Sequence, residues 1–388
     1  MTIASQSVQQ PDSAEARRYN RTRRWLGVAD FAAGLALLVV LIATGWTNTL
    51  RDWAYLGAGE FYAVALFFYV LMLAIISKVL GLGFDFYSFR LEHEYDLSNQ
   101  TFGAWVWDEA KGWLIGLLFG TLAAEFVYWI MRLHPQNWWL ICWAVFVGVF
   151  VLIAQLAPVL LFPIFFKFQP LENESLKERL MRLGERAGAR VRGVYEWKLS
   201  EKSKKANAAL TGLGKTRRIL LADTLLENYT DDEIEAVMAH ELGHHVHGHI
   251  VKSILVEAVV TFVGFWAAAR VLSYAVRQHM MFGTDRIFDF ADLPLLALVS
   301  TVISFVLMPA LNAWSRHNER QADTYAFKSI PKIDPFITSM DKLADQNLAE
   351  RNPSRWVEFI FHSHPPISKR IAAAKAWATK AHSTRTLP

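Results

Sequence analysis

Apolar and polar positions alternate along this chain on a scale of tens of residues. Six apolar runs, near 26–46, 60–82, 112–131, 138–166, 251–275 and 291–312, each reach the length of about 20 residues that a helix needs to cross a bilayer. The fourth is overlong and carries Pro158 and Pro163, which predicts a kink or an exit from the membrane near Phe162 to Phe166. Two polar stretches, 167–250 and 313–388, complete the chain. In the first, Leu176 to Gly188 has a helical repeat, whereas Val191 to Trp197, Asn207 to Leu213 and Arg217 to Leu221 read as strands. It ends in a helix from Asp231, with Thr230 as N-cap and Glu233 completing a capping box. The second is helical in pattern.

Composition agrees with the membrane reading. With 53% hydrophobic residues, fifteen Trp and twenty-six Phe in 388 residues, the chain is too apolar for an ordinary soluble protein. The expected fold class is mainly α, a polytopic α-helical membrane protein with an α+β unit built from the two polar segments. Net charge is only +4 and the basic residues flank apolar runs, which points to membrane orientation and away from nucleic acid. Arg17, Arg18, Arg21, Arg23 and Arg24 precede the first run, which is longer than a signal-peptide core and lacks a small-residue cleavage site. We therefore expect a retained anchor with its N-terminus in the cytoplasm, and counting crossings puts both polar segments on that side. The expected organisation is a basic tail (1–25), four spanning helices (26–166), a first polar part (167–250), two more spans (251–312) and a second polar part (313–388). The lone Cys142 excludes an intrachain disulfide and a Cys-based zinc site.

The chemistry is concentrated in His240-Glu241-Leu242-Gly243-His244. On a helix, His240 and His244 share a face and can reach one Zn²⁺, with Glu241 beside a metal-bound water. A catalytic zinc usually keeps three protein ligands and one open position. A continuation with Gly at 247 and His at 250 is excluded, because His247 and Ile250 stand there. A glutamate from a second helix is the other arrangement, and Asn318-Glu319-Arg320-Gln321-Ala322-Asp323 fits it. Glu319 would be the ligand, and Asp323, one turn on, would accept a hydrogen bond from a ligand histidine.

These segments resemble the integral-membrane zinc metalloendopeptidases typified by the type I CAAX prenyl protease. The resemblance covers nearly everything after about residue 55: Glu92 to Thr101 with Asp108 and Lys111, Pro158 to Leu171, Asn207-Ala208, Arg217 to Leu226, His240 to His249, Ser315 to Ala326 and Ser363 to Arg370. It implies a helical membrane chamber capped by a zincin-like peptidase domain with one Zn²⁺ per chain. His240, His244 and Glu319 would be the ligands and Glu241 the general base and acid. Asp323 would orient a ligand, His364 would stabilise the transition state, and Arg370 would support it. Asn207-Ala208 resembles the edge strand that pairs with substrate backbone. Two departures bear on substrate: six expected spans against seven in eukaryotic members, and Ala209-Leu210-Thr211 where those members have aromatic residues.

The implied partners are the bilayer and a peptide or protein substrate, with C-terminally prenylated or membrane-associated chains as candidates. Broad membrane quality-control proteolysis is the alternative, and a zinc-containing chaperone or transporter is the rival from another class. The membrane would be the inner membrane in a bacterium and the endoplasmic reticulum in a eukaryote. His245, His247 and His249 cannot all share the motif's face, and read as surface or structural. Gly212 to Thr216 mimics a phosphate-binding loop but has Ala209 where Gly is required, so no nucleotide is expected. Glu125 and Glu257 lie within spans, where each would pair with an arginine such as Arg132 or Arg270 or line a wet chamber.

Overall fold

The computed structural model describes residues 12–212, 214–280 and 286–385. In chain order the membrane half begins with α1 (Ala14–Ala43), α2 (Trp46–Ala58), α3 (Tyr62–Glu94), α4 (Phe102–Leu133), α5 (Trp138–Leu160) and the single turn α6 (Phe162–Phe165). The first polar part contributes β1 (Phe168–Pro170), α7 (Glu174–Arg186), β2 (Val191–Trp197), β3 (Ala208–Thr211), β4 (Arg217–Ala222), α8 (Asp223–Asn228) and α9 (Asp231–Val246). The chain then returns through α10 (His249–Arg277) and α11 (Leu293–Ser329), and closes with α12 (Asp334–Gln346), α13 (Arg355–Phe361) and α14 (Ile367–Arg385).

Among the described residues, α1, α3, α4, α5, α10 and α11 are long and apolar enough to span a membrane, in agreement with the six apolar runs. These helices carry exposed Leu118, Leu122, Val259, Val302 and Phe305, apolar surface of the kind that a membrane covers. Inward, Leu66, Tyr69, Tyr128, Met131 and Leu272 pack as a core. Beside it lies a cavity of about 570 Å³ reached by Ser77, Glu257, Thr261, Ser300 and Ser304. Glu257 thus faces a cavity. Arg132 stacks on Tyr62, 3.9 Å from its centroid, and makes no ion pair with Glu125 among the described residues.

Several helices outrun the bilayer. At ~1.5 Å per residue, the 37 residues of α11 extend about 55 Å, well beyond a hydrocarbon core of about 30 Å. Its polar end therefore projects from the membrane as one rod with the span. The fourth apolar run breaks at Leu161, as Pro158 and Pro163 led us to expect.

In the polar half a four-stranded sheet has the order β1-β2-β4-β3, with β2 and β4 parallel and the outer pairs antiparallel. On α7, Leu176, Leu180 and Leu183 recur at helical spacing and pack with Val194, Ile219, Met238, Leu242 and Phe336. β1 escaped the sequence reading because three residues ending in proline show no alternation. Leu213, placed in a strand by sequence and part of the rejected phosphate-loop pattern, lies outside the described residues.

The expected tail, 1–25, divides: residues 1–11 lie outside the described residues, and 14–25 form the first turns of α1. Those turns are docked, not free. Asn20 donates to the Leu348 carbonyl and Arg24 pairs with Glu350, so the basic end of α1 meets the second polar part. A second tie joins the loop after α3 to the segment before β3, through a Ser98–Ser203 bridge and the ion pairs Lys205–Glu92 and Lys202–Asp108.

Candidate metal centre

The site is built on α9. Thr230 Oγ1 accepts from the Glu233 N–H, the Glu233 carboxylate accepts from the Thr230 N–H at 2.8 Å, and acidic Asp231 and Asp232 suit the helix N-terminus. Two and a half turns later the spacing of four brings His240 and His244 onto one face. That face meets α11 closely because Gly243 has no side chain. A Cβ there would stand 2.8 Å from Ala322 Cα and 2.9 Å from the Ala322 carbonyl oxygen. The close approach delivers Glu319 and Asp323, one turn apart on α11, to the histidines.

The donor groups of three residues form a triangle whose Glu319 corner is the two-oxygen carboxylate. His240 Nε2 to His244 Nε2, His240 Nε2 to Glu319 Oε2, and His244 Nε2 to Glu319 Oε1 are each 3.3 Å. Ligands at zinc distances of 2.0–2.1 Å and tetrahedral angles are about 3.3–3.4 Å apart, so each of these separations has the length of one edge of such a site. Glu319 Oε2 is buried without a hydrogen bond, a costly state for a carboxylate oxygen unless a cation takes it up. The donor set of two imidazoles and one carboxylate fits a catalytic zinc with one position open.

Behind the triangle, His240 Nδ1 lies 2.8 Å from Asp323, which Arg370 grips through Nε at 3.0 Å and Nη2 at 2.6 Å. Burial and Arg370 both disfavour a proton on His240, yet Asp323 and Glu319 outweigh them and raise its pKa to about 9. The field in the metal-free site therefore favours a cation. Asp323 stands where the sequence placed it. Arg370 contacts Asp323 and lies 3.2 Å from His240 Nδ1, on the His240 side of the site.

Two further groups, Glu241 and His364, are predicted from the sequence. Glu241 is half-buried next to His240 on α9. His364, on the loop between α13 and α14, brings Nε2 to 3.4 Å from Glu319 Oε1, with its side chain 64% exposed toward the mouth. β3 pairs only with β4 among the described residues, leaving an open edge beside α9. Ala208 is on that strand, and the carbonyl of Asn207 accepts from Ala222 N–H at 3.0 Å. Sequence reasoning missed Gly243 as a packing residue, His249 as the partner of His244 and Gln321 as the partner of His249. The recurrence of histidine five residues after His244 was the only available signal for them.

Comparison with known proteins agrees over the whole length. Residues 170–378 match the family described as peptidase family M48, and residues 3–167 match "CAAX prenyl protease N-terminal, five membrane helices". An uncharacterized metalloprotease of Bacillus subtilis is 30% identical over 93% of this chain and 85% of its own. The human CAAX prenyl protease 1 homolog is 26% identical over 90% of this chain and 82% of its own. The crystal structure of S. mikatae Ste24p superposes with a TM-score of 0.83 at 23% identity, over 95% of this chain and 92% of that one.

Proposed function

The chain belongs to peptidase family M48 and is a multi-pass membrane metalloprotease of the CAAX prenyl protease type, and on that premise we propose how its site works. The metal is one Zn²⁺, held by His240, His244 and Glu319. The observation that carries this reading is the convergence of the two imidazole Nε2 atoms and the Glu319 carboxylate at separations of 3.3 Å. When bound, Zn²⁺ lowers the pKa of a coordinated water toward about 7 and polarises the scissile carbonyl.

The remaining steps belong to side chains. Glu241 takes the proton of the attacking water and passes it to the leaving amine. His364, at the mouth, donates to the oxyanion as charge develops there. Asp323 holds the His240 proton on Nδ1, which turns the Nε2 lone pair into the triangle, and Arg370 balances the Asp323 charge. An extended substrate adds to the open edge of β3 near Asn207 and Ala208, so that backbone hydrogen bonds align the scissile bond across α9.

The substrates are membrane-associated chains, prenylated C-termini first among them. Two features support this: the site sits on the extension of a spanning helix, and an apolar-walled cavity lies among the spans. The site faces the cytoplasm, because the arginines of α1 occupy the end that docks on Leu348 and Glu350 of the peptidase half. Substrate trapping tests the reading: Glu241→Gln in native membranes retains zinc, loses turnover and captures chains bearing C-terminal lipid. Retained turnover in the zinc-loaded variant removes Glu241 from the mechanism. Capture of diverse membrane proteins without lipid replaces the prenyl preference with quality control. Orientation is checked by labelling single cysteines at the α1 N-terminus and at 350, after Cys142→Ser.

A further inference from the structure

His240 and His244 occupy equivalent corners of the donor triangle but have different partners behind them. His240 Nδ1 faces a carboxylate. His244 Nδ1 faces another imidazole, His249 Nδ1, at 3.0 Å, and His249 Nε2 lies 2.9 Å from Gln321 Oε1. Gly248 makes this contact possible. It ends α9 and opens α10 in the left-handed region, φ 65°, where a side chain is strained, and so folds His249 back over His244 with ring centroids 5.0 Å apart.

The hydrogen-bond directions along this row depend on one another. A neutral imidazole carries one N–H and one lone pair. The nitrogen of His244 that faces His240 and Glu319 at 3.3 Å is Nε2, so for His244 to bind a metal there its lone pair must be on Nε2 and its proton on Nδ1. That proton is donated to His249 Nδ1. His249 then holds its own proton on Nε2 and donates it to the Gln321 carbonyl oxygen. If the amide were reversed, a proton would stand on His249 Nδ1 against His244, and the His244 proton would move to Nε2, where it excludes a cation.

We propose that His249 and Gln321 are positioning residues that fix the tautomer of His244 and so present its Nε2 to the metal. This rests on His244 being a ligand. Glu319, Gln321 and Asp323 lie within five residues of α11, so one helix supplies the carboxylate ligand and the outer hydrogen-bond partner of each histidine side. His249 is only 4% exposed, which makes the hydrogen bonds at its two nitrogens the ones that decide where its proton sits.

The test is Zn²⁺ affinity of the full-length protein in detergent, measured by chelator competition. His249→Leu keeps apolar bulk but removes the acceptor, and affinity falls about 10–100-fold, the range found when such outer partners are lost. His249→Asn places a carbonyl oxygen near the lost Nδ1 and recovers most of that affinity. Gln321→Met, at a half-buried position, gives a smaller loss without disturbing α10. A packing role would reverse the order, with Leu nearer the wild type than Asn. Wild-type affinity in His249→Leu, or no advantage of Asn over Leu, overturns the proposal. His244→Ala separates the two readings: if it keeps wild-type affinity, the ligand assignment itself fails.

Discussion

Replacing Gly243 with alanine tests the contact on which the whole centre depends. The added Cβ would lie 2.8 Å from Ala322 Cα, whereas ordinary contact begins at 3.4 Å, so the shortfall is 3.4 − 2.8 = 0.6 Å. Both atoms it meets, Cα and the carbonyl oxygen, are backbone, and no rotamer change can relieve it. α9 and α11 must therefore move apart. His240 and Glu319 each lie three residues before the contact, so the separation passes into the 3.3 Å edges between the histidines and Glu319. A metal site tolerates errors of about 0.2 Å in ligand distance, roughly a third of the displacement. Overpacking costs about 1–3 kcal/mol, offset by about 1 kcal/mol from the better helix propensity of alanine. The chain should thus still fold while its metal affinity drops at least about tenfold, an effect comparable to losing an outer partner. Chelator competition gives the affinity, and thermal unfolding in detergent gives the stability. Wild-type zinc affinity in Gly243→Ala would refute the reasoning. So would its recovery in Gly243→Ala with Ala322→Gly, because that second change leaves the clashing backbone atoms in place.

Other expectations follow from the same geometry. His364→Ala should keep zinc and lose about 10²–10³ in kcat, the usual effect of removing one oxyanion donor; an unchanged kcat in peptide hydrolysis would exclude it from that role. Asp323→Asn leaves Arg370 buried without its carboxylate and should cost about 3–5 kcal/mol, seen as a lowered midpoint of thermal unfolding; a midpoint within error of wild type would show that the pair contributes little. Glu233 gives a pH signature. Burial raises its pKa, but Lys342 and the Thr230 N–H outweigh burial and hold it below the ordinary 4.5. Its contribution is therefore present above the unfolded pKa and lost as pH falls through the lower folded value. Glu233→Gln should be less stable at pH 7 by about 1 kcal/mol, with the gap closing below about pH 4. A gap that stays constant with pH would place the effect elsewhere.

Local periodicity was enough to read much of the fold. The six spans, the strands at Val191–Trp197 and Arg217–Ala222, and the Thr230–Glu233 box were legible because each is written in one continuous stretch of chain. The motif itself declared two imidazoles and a carboxylate on one helix. What the sequence could not contain was distance across the chain. Glu319 was a candidate among ordinary charges until α11 proved to be a single rod that leaves the membrane and packs on α9 at Gly243. The same holds for Arg370 behind His240, for Gln321 behind His249, and for the basic start of α1 against Leu348. In each case residues tens to hundreds apart meet because helices close-pack, and close packing depends on the shape of both surfaces at once. Residue type and spacing determined which groups could bind a metal and where the chain crosses a bilayer. Only the tertiary structure decided that three donor groups lie 3.3 Å apart with their outer hydrogen-bond partners in place, since that separation is set by how far two backbones can approach.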